Sequence, residues 1–313
     1  MHSGPSGPRQ QPTTIHTLDL NFLGIPRTIA SYLIPHREGA ILVESGPGST
    51  LSSLKNELKR HEFELGDVTD VLLTHIHLDH GGAAGSLARH GARIHVHPAG
   101  APHLINPENL LASASRIYGD MMEQLWGEFL PVPESRLNVL QDGDVLEISG
   151  LRFKAVDTPG HAYHHFVYLF EEVCFSGDIG GVRLPGTHHI RVPMPPPEFH
   201  LETWRNSLER LRSFKFSKIA PTHFGIFADP DWHMSALMMA LDEIEDWMQT
   251  IMPGDPDIEQ LKSAITEWAR QRSIEDGAES AIIDSYETAN PSWMSAYGIQ
   301  RYWRKYRNDK FGS

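Results

Sequence analysis

A single short segment, residues 74–82 (THIHLDHGG), limits what this chain can fold into. It places three imidazoles and one carboxylate within six residues, directly after an apolar run. Neutral imidazole and carboxylate are ligands that suit zinc, iron and manganese. Because alternate residues of an extended strand point the same way, His75 and His77 would face one ion. Asp79 and His80 can then turn toward a second. The segment therefore predicts a metal site at the end of a strand.

Three more potential ligands, His161, Asp178 and His223, each follow an apolar run and a tight turn. Loops at strand ends, held by a rigid sheet, are where metal and catalytic groups are usually assembled. Four strands that deliver ligands in this way imply one shared edge of a sheet or sandwich. The candidate ligands are His75, His77, Asp79, His80, His161, Asp178 and His223. A catalytic ion takes three or four protein ligands and keeps a position for water, so this set predicts two ions that share a carboxylate.

In chain order the motifs THIHLDHGG, TPGH, SGD and PTH resemble those of the metallo-β-lactamase superfamily, in particular its dinuclear glyoxalase II-like and lactonase-like hydrolases. The resemblance covers residues 16 to about 228. It implies an α/β fold, a four-layer αβ/βα sandwich with the metals at one end of two facing sheets. It also implies the ligand sets, which are His75, His77 and His161 for the first ion, Asp79, His80 and His223 for the second, and Asp178 as the bridge. His165 would support the ligands from behind or pack against them.

The resemblance implies a metal-dependent hydrolase of an ester, thioester or lactone. Two divalent ions, most often zinc but with iron or manganese as alternatives, would share a hydroxide that attacks the carbonyl carbon. Asp79 would orient this nucleophile as the catalytic residue. Asp178 argues against antibiotic hydrolysis, since the zinc β-lactamases that share the fold lack a bridging Asp there. The alternatives are an iron-dependent oxidoreductase that resembles the persulfide dioxygenases, and a phosphodiesterase.

Composition limits the partners and the compartment. A formal net charge of −13 opposes attraction to polyanions, so we expect a small-molecule substrate and no nucleic acid. No apolar run is long enough for a membrane helix. The single cysteine, Cys174, excludes a disulfide framework and is expected to be buried. Together with the absence of a signal-peptide pattern, these features predict a cytoplasmic enzyme, and base rates favour a homodimer.

The chain divides into a disordered tail over residues 1–15, a catalytic domain over residues 16–230 and a helical region over residues 231–313. The catalytic domain carries a helical insertion at about residues 98–135. The insertion contains the bulky side chains of Tyr118, Met121, Met122, Leu125, Trp126 and Phe129. Its position after the strand that follows the histidine-rich loop fits a lid or a dimer contact as well as simple core filling.

Two basic clusters lie outside the ligand set. A proline-rich loop over residues 182–197 carries Arg183, His188, His189 and Arg191, which fit a surface loop with incidental charges or contacts to an anionic substrate. The segment 292–307 carries Arg301, Arg304, Lys305 and Arg307. Its spacing predicts an amphipathic helix with Tyr302 and Tyr306 buried and the cations solvated, while ligand binding is the alternative.

Overall fold

A computed structural model describes residues 13–307 and contains two mixed β-sheets. The first sheet has the order β1 to β6, with strands His16–Asp19, Ala30–His36, Gly39–Val43, Val68–Leu72, Arg93–Val96 and Leu137–Val139. Strands β1 to β3 are antiparallel, and β3 to β6 are parallel. The second sheet has the order β11-β10-β9-β8-β7. Its strands, β7 to β11, are Val145–Ile148, Leu151–Asp157, Phe166–Phe170, Val173–Phe175 and Lys218–Ala220.

The two sheets face each other across an apolar core. Successive side chains of a strand point to opposite faces, so each sheet can bury both of its faces. Tyr32 and Val43 of the first sheet pack with Phe153 and Phe175 of the second between the sheets. Other residues of the same strands pack outward against helices. Cys174 is buried on the outer face of its sheet, as predicted for a core thiol.

Helices cover the outer face of each sheet. On the first sheet lie α1, Leu51–Arg60, and α3, Ala84–Arg89, while the short α2, Leu78–Gly81, begins directly after His77. On the second sheet lie α7, Leu201–Leu211, and α8, Pro230–Ile251. The order helices, sheet, sheet, helices confirms the predicted four-layer αβ/βα sandwich.

The insertion consists of α4, Ala101–Ile105, α5, Glu108–Tyr118, and α6, Met122–Trp126. The sequence predicts one helical stretch over residues 107–129, but the chain breaks at Gly119, where φ is 52° and ψ is −128°. Glycine reaches this conformation without the strain that a side chain would add. Trp126 and Phe129 join the outer core of the first sheet, so the insertion fills core as well as standing beside the ligands.

The C-terminal region contains α9, Ile258–Glu275, α10, Ser280–Ala289, and α11, Ser292–Tyr306. The periodicity of apolar residues predicts helices over residues 258–272, 279–289 and 292–307, so the observed bounds agree closely with the prediction. Helices α9 and α11 pack together and belong to the apolar cluster on the outer side of the second sheet. The predicted disordered tail falls largely outside residues 13–307, and the domain boundaries remain predictions. Within residues 13–307, no helix combines the length and apolar character that a membrane crossing requires.

Candidate metal centre

All seven predicted ligands lie at one edge of the sandwich because they follow strands that end there. His75 and His77 come after β4, and His161 lies in the loop that joins β8 to β9. Asp178 and His223 follow β10 and β11, which pair in parallel and therefore end together. The remaining two ligands, Asp79 and His80, lie in α2. The structure thus brings together residues that are up to 148 positions apart, from His75 to His223.

Three imidazoles form the first group. The Nδ1 atom of His77 is 3.0 Å from Nε2 of His75 and 3.0 Å from Nε2 of His161. The Nδ1 atom of His161 donates to the carbonyl of Pro193 over 3.1 Å, so its Nε2 carries a lone pair that faces the group. A carbonyl that holds the outer nitrogen of a histidine in this way is typical of metal sites.

Two carboxylates and two imidazoles form the second group. Nε2 of His80 is 3.3 Å from Oδ1 of Asp178, and Nε2 of His223 is 3.5 Å from Oδ2 of Asp79. Nδ1 of His223 donates to the carbonyl of Thr28 over 2.8 Å, so Nε2 of His223 carries a lone pair. The other oxygen of Asp178, Oδ2, is 3.4 Å from Nε2 of His161 in the first group. One carboxylate therefore reaches both groups.

The donor set fits two divalent ions. Within each group the ligand atoms lie within 4.8 Å of one another. Nε2 of His80 and Oδ1 of Asp178 are buried and have no hydrogen-bond partner among the described residues. A buried polar atom left unsatisfied costs about 1–3 kcal/mol, so two adjacent ones that face each other need a partner. Imidazole and carboxylate ligands suit zinc, iron and manganese alike, so the donors alone do not select the metal.

In the first group and at Asp178 the electrostatics favour the protonation states that bind metal. Burial and the neighbouring imidazoles lower the pKa of His75 well below its usual range and lower the pKa of His77 to about 3. Both rings are therefore neutral at physiological pH. Burial raises the pKa of Asp178, but His80, His161 and other nearby imidazoles outweigh it and hold this pKa well below its usual range. The carboxylate is thus ionised. Burial lowers the pKa of His80, but the neighbouring carboxylates outweigh it and raise this pKa well above its usual value, so an ion bound there would have to displace a proton.

A buried carboxylate that was not predicted from the sequence, Glu44, supports the second group through hydrogen bonds. Its side chain accepts a hydrogen bond from Nδ1 of His80 over 3.1 Å and from the hydroxyl of Thr222 over 3.0 Å. The hydroxyl of Thr74 also donates to it. Glu44 follows the apolar strand β3 directly, which is the same pattern that marked the other candidates, so this signal was available.

Two further histidines, His164 and His165, follow the TPGH motif and have different surroundings. His165 is fully buried, accepts from the backbone N–H of Ile179 over 3.3 Å and contacts the hydroxyl of Thr158 over 3.0 Å. It therefore supports the turn that carries Asp178. His164 lines the pocket beside the first group, with its Nε2 atom 3.3 Å from a carboxylate oxygen of Glu198.

The prediction that the charged residues of the proline-rich loop, residues 182–197, lie on the surface is wrong for most of them. Three of its four candidate groups, Arg183, His189 and Arg191, are buried rather than on the surface. Arg183 forms a two-bond ion pair with Asp229, with distances of 2.7 and 2.9 Å. His189 and Arg191 contact acidic residues of the C-terminal region. These groups tie the loop to the helices, because charges that leave water need partners.

A pocket of about 510 Å³ opens above the two groups. His77, Asp79, His161 and Asp178 lie in its wall. The remaining wall is largely apolar and comes from both appended regions, with Ile117, Tyr118 and Trp126 from the insertion and Met294 from α11. The insertion therefore forms a wall of the pocket, a role that the sequence left open.

Comparison with solved structures supports the fold. A metallo-beta-lactamase family protein of Thermus thermophilus superposes with a TM-score of 0.60 at 22% identity, over 93% of each chain. A flavo di-iron protein of Thermotoga maritima gives a TM-score of 0.52 at 18% identity, over 68% of this chain and 52% of that one.

Curated relatives are distant in sequence. A metallo-beta-lactamase fold-containing protein of Sulfurisphaera tokodaii is 22% identical over 68% of this chain and 78% of its own. An atrochrysone carboxyl ACP thioesterase of Aspergillus fumigatus is 26% identical over 83% of this chain. One of Aspergillus novofumigatus is 26% identical over 64% of it. The chain spans 50% of the length of each of these two thioesterases.

The family model of the metallo-beta-lactamase superfamily matches residues 24–223, which is more than half of the chain and includes every predicted ligand. The match agrees with the resemblance in the motifs and with the four-layer fold. The chain belongs to the metallo-β-lactamase superfamily.

Proposed function

We propose that the protein is a dinuclear metallohydrolase that cleaves an acyl thioester, with an ester or lactone as the wider substrate class. The observation that carries this proposal is the pair of ligand groups that share Asp178 at the floor of an apolar pocket. His75, His77 and His161 would hold one ion, and Asp79, His80 and His223 the other. When bound, the two ions would supply a hydroxide at neutral pH and polarise the substrate carbonyl.

The side chains of the protein would orient the attacking water and keep other water away from the scissile bond. Asp79 faces the pocket with 18% of its side chain exposed, so we assign it the task of orienting the attacking water. Glu44 keeps the proton of His80 on Nδ1 and so points the lone pair of Nε2 into the site. The apolar wall formed by Ile117, Tyr118 and Trp126 would bind an acyl chain and remove water from around the scissile carbonyl.

Two observations favour a thioester within this class. The relatives from the two Aspergillus species are named atrochrysone carboxyl ACP thioesterases. The pocket walls are largely apolar, which suits an acyl chain better than a sugar or nucleotide. The predicted zinc content, cytoplasmic location and homodimer remain proposals.

Initial rates test the proposal after the protein is loaded with zinc, manganese or iron in turn. The substrates are a hexanoyl N-acetylcysteamine thioester, S-lactoylglutathione, an acyl-homoserine lactone, an aryl ester and a phosphodiester. We expect initial rates on the two thioesters to be several hundredfold higher than those on the other substrates. We also expect Asp79→Ala to lose this thioesterase activity. Uniformly weak hydrolysis together with oxygen uptake in the presence of persulfides would overturn the proposal in favour of the oxidoreductase alternative.

A further inference from the structure

Four exposed cations form a rim beside the mouth of the metal pocket. This basic rim consists of Arg116 on α5 and Arg301, Arg304 and Lys305 on α11. The rim surrounds a shallow depression of about 550 Å³. The residues that line both this depression and the metal pocket are Ser113, Ile117, Pro196 and Pro197. The two surfaces therefore adjoin.

The charge of the basic rim is largely unneutralised. Among residues 13–307, no carboxylate lies within ion-pairing distance of Arg116, Arg301 or Lys305. Arg304 is 3.9 Å from Asp255, but both side chains are mostly exposed, and such a pair contributes little. Arg307 on the same helix differs, because its side chain is 12% exposed and pairs with Glu202 over 2.7 Å. Arg116, Arg304 and Lys305 lie in the last turns of their helices, where the helix dipole favours cations. Because acidic side chains near them do not neutralise their charge, they also form a local positive surface beside the pocket of a chain of net charge −13, and such a surface attracts anions.

We propose that the basic rim is the docking surface for an acidic acyl carrier protein, which presents its acyl thioester to the pocket on a phosphopantetheine arm. This inference rests on the proposed function. The four cations are all exposed and stand on two separate helices, so they offer a broad surface rather than an enclosed phosphate cradle. A broad surface of one sign fits a protein of the opposite sign, and such complementarity mainly raises the association rate.

The geometry also gives the arm a path. Ser113, Ile117, Pro196 and Pro197 form an uncharged passage between the basic rim and the metal pocket. A flexible arm could lie across this passage while the carrier remains on the cations. The acyl group would then contact the apolar wall around Ile117, and the thioester carbonyl would lie above Asp79.

The test compares two triple variants of equal charge change. One variant, Arg116→Glu, Arg304→Glu and Lys305→Glu, reverses the rim but keeps Arg301, which donates to the carbonyl of Pro197 over 2.9 Å. The control, Lys55→Glu, Lys59→Glu and Arg89→Glu, reverses three exposed cations on α1 and α3. Each metal-loaded protein is assayed on hexanoyl acyl carrier protein, hexanoyl-CoA and hexanoyl N-acetylcysteamine. Binding of the holo carrier protein without an acyl group is measured separately.

We expect the rim variant to lose roughly tenfold or more in kcat/KM on the carrier thioester and to bind the holo carrier correspondingly more weakly. Its rate on the N-acetylcysteamine thioester should match that of the control. Raising the salt concentration should weaken the wild type in the same selective way. Equal rates and equal carrier binding in the two triple variants would overturn the inference.

The remaining outcomes separate this inference from the proposed function. An equal loss on hexanoyl-CoA would show that the rim reads phosphates of a small molecule and would also overturn docking of a carrier. If no thioester is hydrolysed, the proposed function fails, and the binding measurement still decides the docking surface. In that case, equal binding of the holo carrier protein to the rim variant and to the control would reject the proposed docking surface.

Discussion

Replacement of Glu44 by Gln tests whether a buried carboxylate controls the second metal site. Glu44 is fully buried and accepts hydrogen bonds from Nδ1 of His80 and from the hydroxyls of Thr74 and Thr222. Gln keeps the size of the side chain but removes the charge. It also turns one acceptor into an N–H₂ donor that faces groups which themselves donate.

The expected magnitude follows from the bonds that change. A hydrogen bond to a charged group contributes about 1.5–3 kcal/mol, and a neutral one about 0.5–1.5 kcal/mol. Loss of residues that orient metal-binding histidines typically weakens metal affinity about 10- to 100-fold. This corresponds to about 1.4–2.7 kcal/mol. We therefore expect Glu44→Gln to weaken binding of the ion held by His80 by that factor. The first ion should weaken less, because Glu44 is hydrogen-bonded directly to His80 but is linked to His75 through the hydroxyl of Thr74.

The assay is a competitive zinc titration against a chelator of known affinity, with elemental analysis of the dialysed protein. Asp70→Asn is the matched control, since Asp70 accepts from Nε2 of His95 over 2.8 Å but lies away from the ligands. The control should lose stability and keep both ions. Wild-type affinity at both sites in Glu44→Gln, or an equal loss in Asp70→Asn, would refute the reasoning.

Three further outcomes follow from the same geometry. Asp79→Ala should lower turnover by roughly 10²- to 10⁴-fold with little change in the unfolding midpoint of the metal-free protein, and near wild-type turnover with metal bound would contradict the assigned role. His75→Ala should lose one ion per chain in elemental analysis, whereas full occupancy would reject the ligand assignment. Burial lowers the pKa of His233 to about 4, so the unfolded chain binds an extra proton between pH 6.5 and that value. The free energy of unfolding should therefore fall as the pH falls through this window, by about 3 kcal/mol at most. Denaturant titrations of His233→Gln should show a smaller fall, and an equal fall in both proteins would exclude this cause.

The candidate ligands, which the structure brings together, could be picked out from the sequence because each stands in a local pattern. An apolar strand followed by a turn that carries His or Asp marks a candidate ligand wherever its partners lie in the chain. The four-layer fold was predicted from the resemblance that these motifs bear to the metallo-β-lactamase superfamily. Helix bounds can be predicted from the period of the apolar residues. For α8 this period predicts a helix over residues 232–251, and the structure has it at Pro230–Ile251. The break at Gly119 was missed because periodic apolar residues continue on both sides of it.

The groups that orient the ligands could not be predicted in the same way. His161 and His223 donate to the backbone carbonyls of Pro193 and Thr28, which are 32 and 195 positions away. A carbonyl is present at every residue, so the sequence carries no mark of the one that is used. The burial of the loop arginines could not be predicted for a related reason, since the partner of Arg191, Glu287, lies 96 positions away.

The centre and its surroundings come from different parts of the chain, and this separation bears on how the activity can be specified. The candidate ligands lie in the segments that follow strands. Helices α5 and α11 supply apolar residues of the pocket wall, such as Ile117 and Met294, and they also supply all four cations of the basic rim. Under the proposed function, a substitution on either helix would therefore alter the preferred acyl group or the binding of the carrier without moving a candidate ligand. Because the same two helices build wall and rim, the choice of acyl group and the choice of carrier are expected to be coupled.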